Sequence, residues 1–447
     1  MKQVALVMCS LALSACALDA EPEATSSQTQ AMCAPSVPAA PNAVVTWHAN
    51  AQALVTAFTG RSNAAQAYTS ALIQIAVYDA AVAIRGRYHP FLAKVRAHKG
   101  ASLDAAIATA AFRVGYTRVD SNAAARATYL SLYTAFLAGI PDSRAKTDGV
   151  AVGEKVAKEV LDARANDNFY NTATYTNPPP TVGVWQSVDV ANDYATAGAA
   201  DYPMRYVVPL TAKSPSARRP PPHVDIASRR YARDLKELEL YGDKNSAVRT
   251  AAQTDAAQFW TEGGFTMWSR NVRDIVIAHG LDELEAARAF VVVGVATGDG
   301  MLACFEAKYH YAFWRPFQAI LRADEDGNPH THPDPSWIPL VRANHPEYPS
   351  GHACYGTAAT RALRLYFEKD LALTMTSTGN QVVGWPVVPT RSYPSLGAII
   401  DDTANARVWS GLHYRTTMEE TADWMKGLAE DAVCGRFGID CGHGCDD

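Results

Sequence analysis

The sequence predicts an all-α protein. Long Ala-rich stretches mixed with Leu, Val, Arg and Glu favour helix, apolar residues recur at helical spacing, and alternating runs that would mark strands are nearly absent. The chain has 447 residues, a hydrophobic share of 48% and a formal charge of -5. That is ample material for one large core or two packed ones. The charge balance speaks against nucleic acid as a partner and against a highly charged solvating tail.

The elements follow in order. Met1-Lys2 precedes the apolar stretch Val4–Ala15, too short to span a bilayer but the length of a signal-peptide core. It closes on Leu13-Ser14-Ala15-Cys16, which resembles a bacterial lipobox. Residues 1–16 are therefore read as a signal peptide whose Cys16 is lipidated; an ordinary export signal cut after Ala15-Cys16-Ala17 is the alternative. Either reading exports the mature chain, as a membrane-anchored lipoprotein or as a secreted protein. Residues 17–42 are rich in Pro, Ser, Thr and Gln without periodicity and read as a disordered linker. No other stretch reaches the apolar length of a membrane helix on this reading, so the membrane is met only through the anchor.

Helical patterning starts near Val44. Asn63–Ile84 is apolar all round, as a buried helix would be. Ser102 caps a helix to Tyr116, and Ala123–Ala138 and Ser143–Ala163 continue the series. Between Asn166 and Pro222 proline runs impose a long irregular connector, expected to wrap the surface and wall a cleft. Helices resume over Ala227–Tyr241, Ser246–Phe259, Val272–His279 and Leu281–Glu306. A second irregular segment, Asp324–Pro349, precedes Ala353–Asp370 and Glu419–Cys434. This divides the chain into an N-terminal bundle with connector (43–222), a C-terminal bundle (223–436) and a Cys-rich tail (437–447). Ile75–His89 faintly echoes Val295–His310, each with an Asp followed by a basic-Tyr-His step.

Eight cysteines are present, six of them after Cys16. Cys434, Cys441 and Cys445 suit disulfides, one of which could reach Cys33; zinc on Cys441, His443 and Cys445 is the alternative, with too few ligands. Cys304 and Cys354 lie in apolar helical surroundings and read as inert core thiols.

Three segments of the last third carry chemistry. Lys308 and Arg315 are seven residues apart on a predicted helix, within about 20° of one face. The aromatics between them argue against a solvated surface. Tyr348-Pro349-Ser350-Gly351-His352 opens a helix, with Ser350 as cap and Gly351 permitting close backbone approach, so its free N–H groups form an anion site beside His352. Arg407 to Arg415 holds Gly411, a predicted helix break, and His413. Singly, each feature is ordinary. Together they make one dense positive pocket with two histidines.

Lys, six residues, Arg-Pro; then Pro-Ser-Gly-His; then Arg, five residues, His: this combination resembles the signature of vanadium haloperoxidases and the related phosphatidic acid phosphatase superfamily. Trp47-His48, Ala76–Ala80, the Gly183-Val184-Trp185 region and Asp326 through Trp337 resemble the bacterial, secreted haloperoxidase-like branch, so the similarity covers nearly all of the mature chain. The resemblance implies two packed helical bundles and vanadate as cofactor. It implies that Lys308, Arg315, Ser350, Gly351 and Arg407 hold the vanadate oxygens, that His413 is the axial vanadium ligand, and that His352 is the acid–base group. Hydrogen peroxide and halide would be the substrates, Lys308 would polarise the bound peroxide, and a small organic molecule is a possible halogen acceptor.

Two departures stand out. The family often places Asp four residues after the axial His; here that residue is Thr417, so Glu419 or Glu420 substitutes or the support is missing. His345, five residues before Ser350, matches a position that is His in many bromoperoxidases, which favours bromide or iodide; an ordinary loop histidine is the alternative. Two rival functions remain open. One is an acid phosphatase with His413 as nucleophile, since phosphate and vanadate are both tetrahedral oxyanions. The other, encouraged by Thr417, is a non-catalytic phosphate-binding lipoprotein.

Overall fold

A computed structural model describes residues 42–58, 60–187 and 199–441. The export signal, almost all of the linker, and Cys33, His443 and Cys445 lie outside these residues.

The first five helices are α1 (Ala43–Thr56), α2 (Asn63–Arg85), α3 (Leu103–Arg118), α4 (Ala123–Ala138) and α5 (Arg144–Ala163). After the connector come α6 (Arg229–Tyr241), α7 (Ala251–Phe259), α8 (Gly264–Ala278), α9 (Glu283–Tyr311) and α10 (Pro316–Leu321). The chain then forms α11 (Gly351–Phe367), a small antiparallel hairpin of β1 (Leu373–Thr376) and β2 (Thr390–Tyr393), α12 (Leu396–Trp409) and α13 (Arg415–Val433). The all-α prediction holds: the two short strands are a surface ornament on a helical body.

Local chemistry explains the helix starts. Asn42, Ser102, Asn122, Ser143, Ser228, Asp282 and Ser395 each cap a helix by accepting a backbone N–H three residues on. Thr250 and Gln253 close a capping box, which moves the start of α7 from the expected Ser246 to Ala251. Helix α8 begins eight residues before the expected Val272, and α13 begins at Arg415 rather than Glu419. Helix α12 has no counterpart among the predicted helices, because Asp401, Asp402, Thr403 and Asn405 give it low intrinsic propensity; packing on α7, α11 and α13 sustains it.

One hydrophobic core runs from α1 to α13, and its axis is the pair α2 and α9. Both helices are long and apolar enough to cross a membrane, contrary to the sequence expectation. Their apolar surface is satisfied by other helices instead: 83% and 94% of the two windows is buried in the fold.

The faint internal echo has a structural counterpart. Asp79 on α2 and Asp299 on α9 are both buried carboxylates that tie down an incoming loop. Asp79 accepts N–H bonds from Phe91, Leu92 and Ala93 at 2.6, 2.9 and 2.8 Å. Asp299 accepts from the N–H groups of Leu210 and Thr211 at 2.6 and 2.8 Å, and from the Thr211 hydroxyl at 2.5 Å. Of the cysteines expected to form disulfides, Cys434 and Cys441 pair at the end of α13, and Cys304 and Cys354 are free and buried as expected.

Because Asp79→Ala strands three buried N–H groups at once, it is expected to destabilise the fold by about 3–5 kcal/mol. Asp299→Ala is expected to fall in the same range. Denaturant unfolding of the two variants checks this, and a loss below about 1 kcal/mol would show that the loops are held by other contacts.

Candidate oxyanion site

The end of α9, the start of α11 and the turn after α12 converge on one cavity. Lys308 lies in the last turn of α9, which stops when Ala312 enters the left-handed region at φ 45°. Arg315 is therefore not on the same helix as Lys308: it caps the N-terminus of α10. The expectation of two cations on one helical face fails, yet the sharp exit at Ala312 brings both to the same loop. That loop, residues 345–347, supplies the carbonyls that hold them. At the far side Arg407 occupies the last turn of α12, and Gly411 turns the chain at φ 74° to present His413. A Cβ at Gly411 would lie 2.6 Å from the Gly242 carbonyl oxygen, so only glycine fits this turn.

The cavity encloses about 250 Å³ and is lined by Arg315, His345, Gly351, His352, Arg407 and His413, with Met301 and Phe305 as its apolar wall. Six of the eight predicted site residues thus meet directly. Lys308 and Ser350 are fully buried just behind. The Lys308 ammonium donates to the carbonyls of Pro346 and Glu347 at 2.9 and 3.1 Å, and its Cε lies beside Gly351. The Ser350 N–H, expected to face the anion, donates instead to Thr421 Oγ1 at 3.1 Å. Its hydroxyl caps α11 by accepting from Ala353 N.

Backbone carbonyls orient the two arginines. Arg315 donates to the carbonyls of His345 and Leu412 at 2.9 and 2.8 Å, to His345 Nδ1 at 2.9 Å, and points its NH1 at His413 Nε2, 3.3 Å away. Arg407 donates to the Trp260 carbonyl at 2.6 Å. His352 Nε2 donates to the Glu262 carbonyl at 3.0 Å, which leaves Nδ1 as its basic nitrogen.

The residue that sequence reasoning missed is Glu347. It is fully buried; one carboxylate oxygen accepts from His413 Nδ1 at 2.8 Å and the other from Thr417 Oγ1 at 3.0 Å. Thr417 is therefore part of the support rather than a sign of its loss. Glu419 and Glu420 do not substitute, since both reach toward Arg230 at the surface. The bond to Glu347 fixes the His413 proton on Nδ1 and turns the Nε2 lone pair into the cavity, as carboxylates do behind metal-ligating histidines. The only sequence signal was position: Glu347 stands between two residues already singled out.

Electrostatics set the protonation states. Burial, with Arg315 and Lys308 next, holds the His413 pKa well below the usual imidazole range, and burial with Arg407 does the same for His352. Both rings are neutral. Burial pulls Lys308 down to about 8 and pushes Glu347 up to about 7. Among the described residues, three buried cations stand near the already engaged Glu347 carboxylate, and the buried Nε of Arg407 has no hydrogen-bond partner. A donor-only set with excess positive charge fits a tetrahedral oxyanion such as vanadate, with Arg315, Arg407, the Gly351 N–H and Lys308 around its oxygens.

The chain is similar to known proteins in part of its sequence and in its fold. The family described as the VCPO second helical-bundle domain matches residues 288–434. Vanadium chloroperoxidase of Curvularia inaequalis is 29% identical over 28% of this chain, a match that spans only 24% of the fungal enzyme. Among solved structures, a bacterial vanadium-dependent iodoperoxidase superposes with a TM-score of 0.73 at 19% identity, covering 88% of this chain and 95% of that one. A holo-type bacterial vanadium-dependent chloroperoxidase superposes at 0.63, also at 19% identity, covering 82% and 90%.

The lowered Lys308 pKa gives a pH test. Its ammonium is present below about 8 and lost above, so affinity for tungstate, whose charge stays constant there, should fall as pH rises past about 8. The expected slope approaches tenfold per pH unit. Lys308→Met should bind more weakly and lack this step. Titration calorimetry at several pH values checks it, and an unchanged slope in the variant would place the titrating group elsewhere.

Proposed function

We propose that the chain is a vanadate-dependent haloperoxidase, oxidising bromide or iodide with hydrogen peroxide to hypohalous acid, a reading supported by the match of residues 288–434 to the VCPO second helical-bundle domain. The observation that carries this reading is the His413 Nε2 lone pair, aimed into a cavity of cations while Nδ1 is fixed by Glu347.

Bound vanadate supplies a Lewis-acidic oxyanion that activates peroxide without changing its own oxidation state. The protein's residues do the rest. His413 would hold the vanadate through Nε2, and Glu347 and Thr417 keep its tautomer. Arg315 and Arg407, oriented by carbonyls before any ligand arrives, neutralise the oxyanion charge without reorganising. Lys308, held by the Pro346 and Glu347 carbonyls, would contribute its positive charge beside the bound group. His352, neutral in the free site, gains basicity beside a dianion and can accept a proton at Nδ1 and return it.

The cavity wall supports the larger halides. Met301, Phe305 and His345, whose ring packs 5.6 Å from that of Phe305, present polarisable and apolar surface. Such a wall strips water from a halide, which costs least for weakly hydrated iodide and bromide. The His413–Glu347 pair would also serve a phosphatase nucleophile, so phosphate-ester hydrolysis is the reading to test alongside. We further propose that the chain works outside the cytoplasm, tethered through Cys16; the Cys434–Cys441 disulfide supports an oxidising compartment.

Bromide oxidation in phosphate-free buffer should appear on adding vanadate, with little ester hydrolysis. His413→Ala should abolish both activities. His352→Ala should keep vanadate affinity and lose about 10²–10⁴-fold in rate. Lys308→Ala should harm bromide oxidation more than ester hydrolysis. Near-normal peroxidase activity in His413→Ala would sink the assignment.

A further inference from the structure

A second depression opens beside the oxyanion cavity, enclosing about 680 Å³. Arg342 and Gln381 line both, so the two spaces adjoin across these two side chains. Three irregular segments build it: the turn between α6 and α7, residues 338–342 of the second irregular segment, and the loop between β1 and β2. Backbone bonds lock them together, from Lys244 N to the Ile338 carbonyl at 2.7 Å and from Leu340 N to the Gly242 carbonyl at 3.0 Å. The cleft is thus a formed feature of the fold.

Its lining has a definite chemistry. The apolar side is Ile338, 38% exposed, Val383, 90% exposed, and Trp385. Trp385 is pinned by its indole N–H donating to Asp255 at 2.6 Å, so the ring presents a fixed face. The charged side is Lys244, exposed at the rim, and Arg249, whose guanidinium is oriented by the carbonyls of Tyr241 and Asp243 at 2.6 Å each. Carbonyls orient this cation without cancelling its charge. Among the described residues that line the cleft none is acidic. An exposed valine and isoleucine around a held indole, rimmed by cations and next to the oxyanion cavity, suit a ligand with a flat apolar body and an anionic end.

We propose that this cleft binds the organic halogen acceptor, and that the acceptor is an electron-rich aromatic acid, a phenol carrying a carboxylate. The inference rests on the haloperoxidase reading, whose product is an electrophile released next door. On such a ring the carbon–halogen bond forms as the halogen–oxygen bond of hypohalous acid breaks. The displaced ring proton leaves with the hydroxide as water, so hydrogen peroxide and halide remain the only co-reactants. Trp385 and Val383 would hold the ring, and Lys244 and Arg249 would hold the carboxylate.

The test uses the full chain, with 4-hydroxyphenylacetate as the anionic probe and 4-methylphenol as its neutral counterpart. Calorimetric titration should show the anion bound about fivefold or more tightly than the neutral phenol. Lys244→Glu should erase that preference, and Val383→Glu should weaken both probes, while tungstate affinity and melting temperature stay at wild-type values. In bromination assays both variants should raise KM for 4-hydroxyphenylacetate and leave acceptor-free iodide oxidation unchanged. Retention of the anion preference in Lys244→Glu, or equal binding of the two probes by the wild type, would overturn the assignment of the cleft. Absence of halide oxidation in every protein would instead strike the haloperoxidase reading, and the titrations would still decide the ligand class.

Discussion

Lys308, Arg315 and Arg407 are buried around one small cavity, and Glu347 is the carboxylate found beside them among the described residues. Three like charges in such a place repel one another and have lost their water, a cost the rest of the fold must meet. The structure meets it with backbone carbonyls: Pro346 and Glu347 for Lys308, His345 and Leu412 for Arg315, Trp260 for Arg407. Regular helix cannot supply those carbonyls, because its own ladder uses them. The irregular segments are therefore required beside the helices, and α9, α11 and α12 all end or begin at the cavity for the same reason.

This arrangement also explains the division of labour between the histidines. His413 is backed by a carboxylate and has its lone pair directed; His352 is backed by a neutral carbonyl and keeps a nitrogen whose basicity depends on what fills the cavity. The first is suited to holding, the second to moving a proton. Glu347 sits at the centre of this difference. Pushed up to about 7 by burial, it is stabilised as an anion by Arg315 and Lys308 and by hydrogen bonds from the Thr417 hydroxyl and the Tyr414 N–H.

Much of the molecule was legible in the sequence, for identifiable reasons. The Ser102 and Ser350 caps declared the starts of α3 and α11, and the apolar all-round pattern of α2 marked it as a buried helix. Three segments named the oxyanion site because residue chemistry and order survive any error in local structure. Lys308 and Arg315 show this: the shared helical face was wrong, but the shared destination was right. What stayed hidden depended on tertiary contact. Helix α12 is held by neighbours against its propensity, and Glu347 is defined by two partners 66 and 70 residues away. Asp79 and Asp299 were visible only as a faint echo until their loops could be seen bound to them.

Solvating the cations through main-chain oxygens has a consequence for how such a protein changes over generations. A carbonyl persists whatever side chain the residue carries, so substitutions at His345, Pro346 or Leu412 leave the groups that hold Lys308 and Arg315 in place. Affinity for the anion is stored in the path of the chain, whereas selectivity among small reactants is written in side chains on the same stretch. One can drift while the other is preserved. Lineages built on this loop are thereby free to vary what meets the anion without losing the groups that orient the cations.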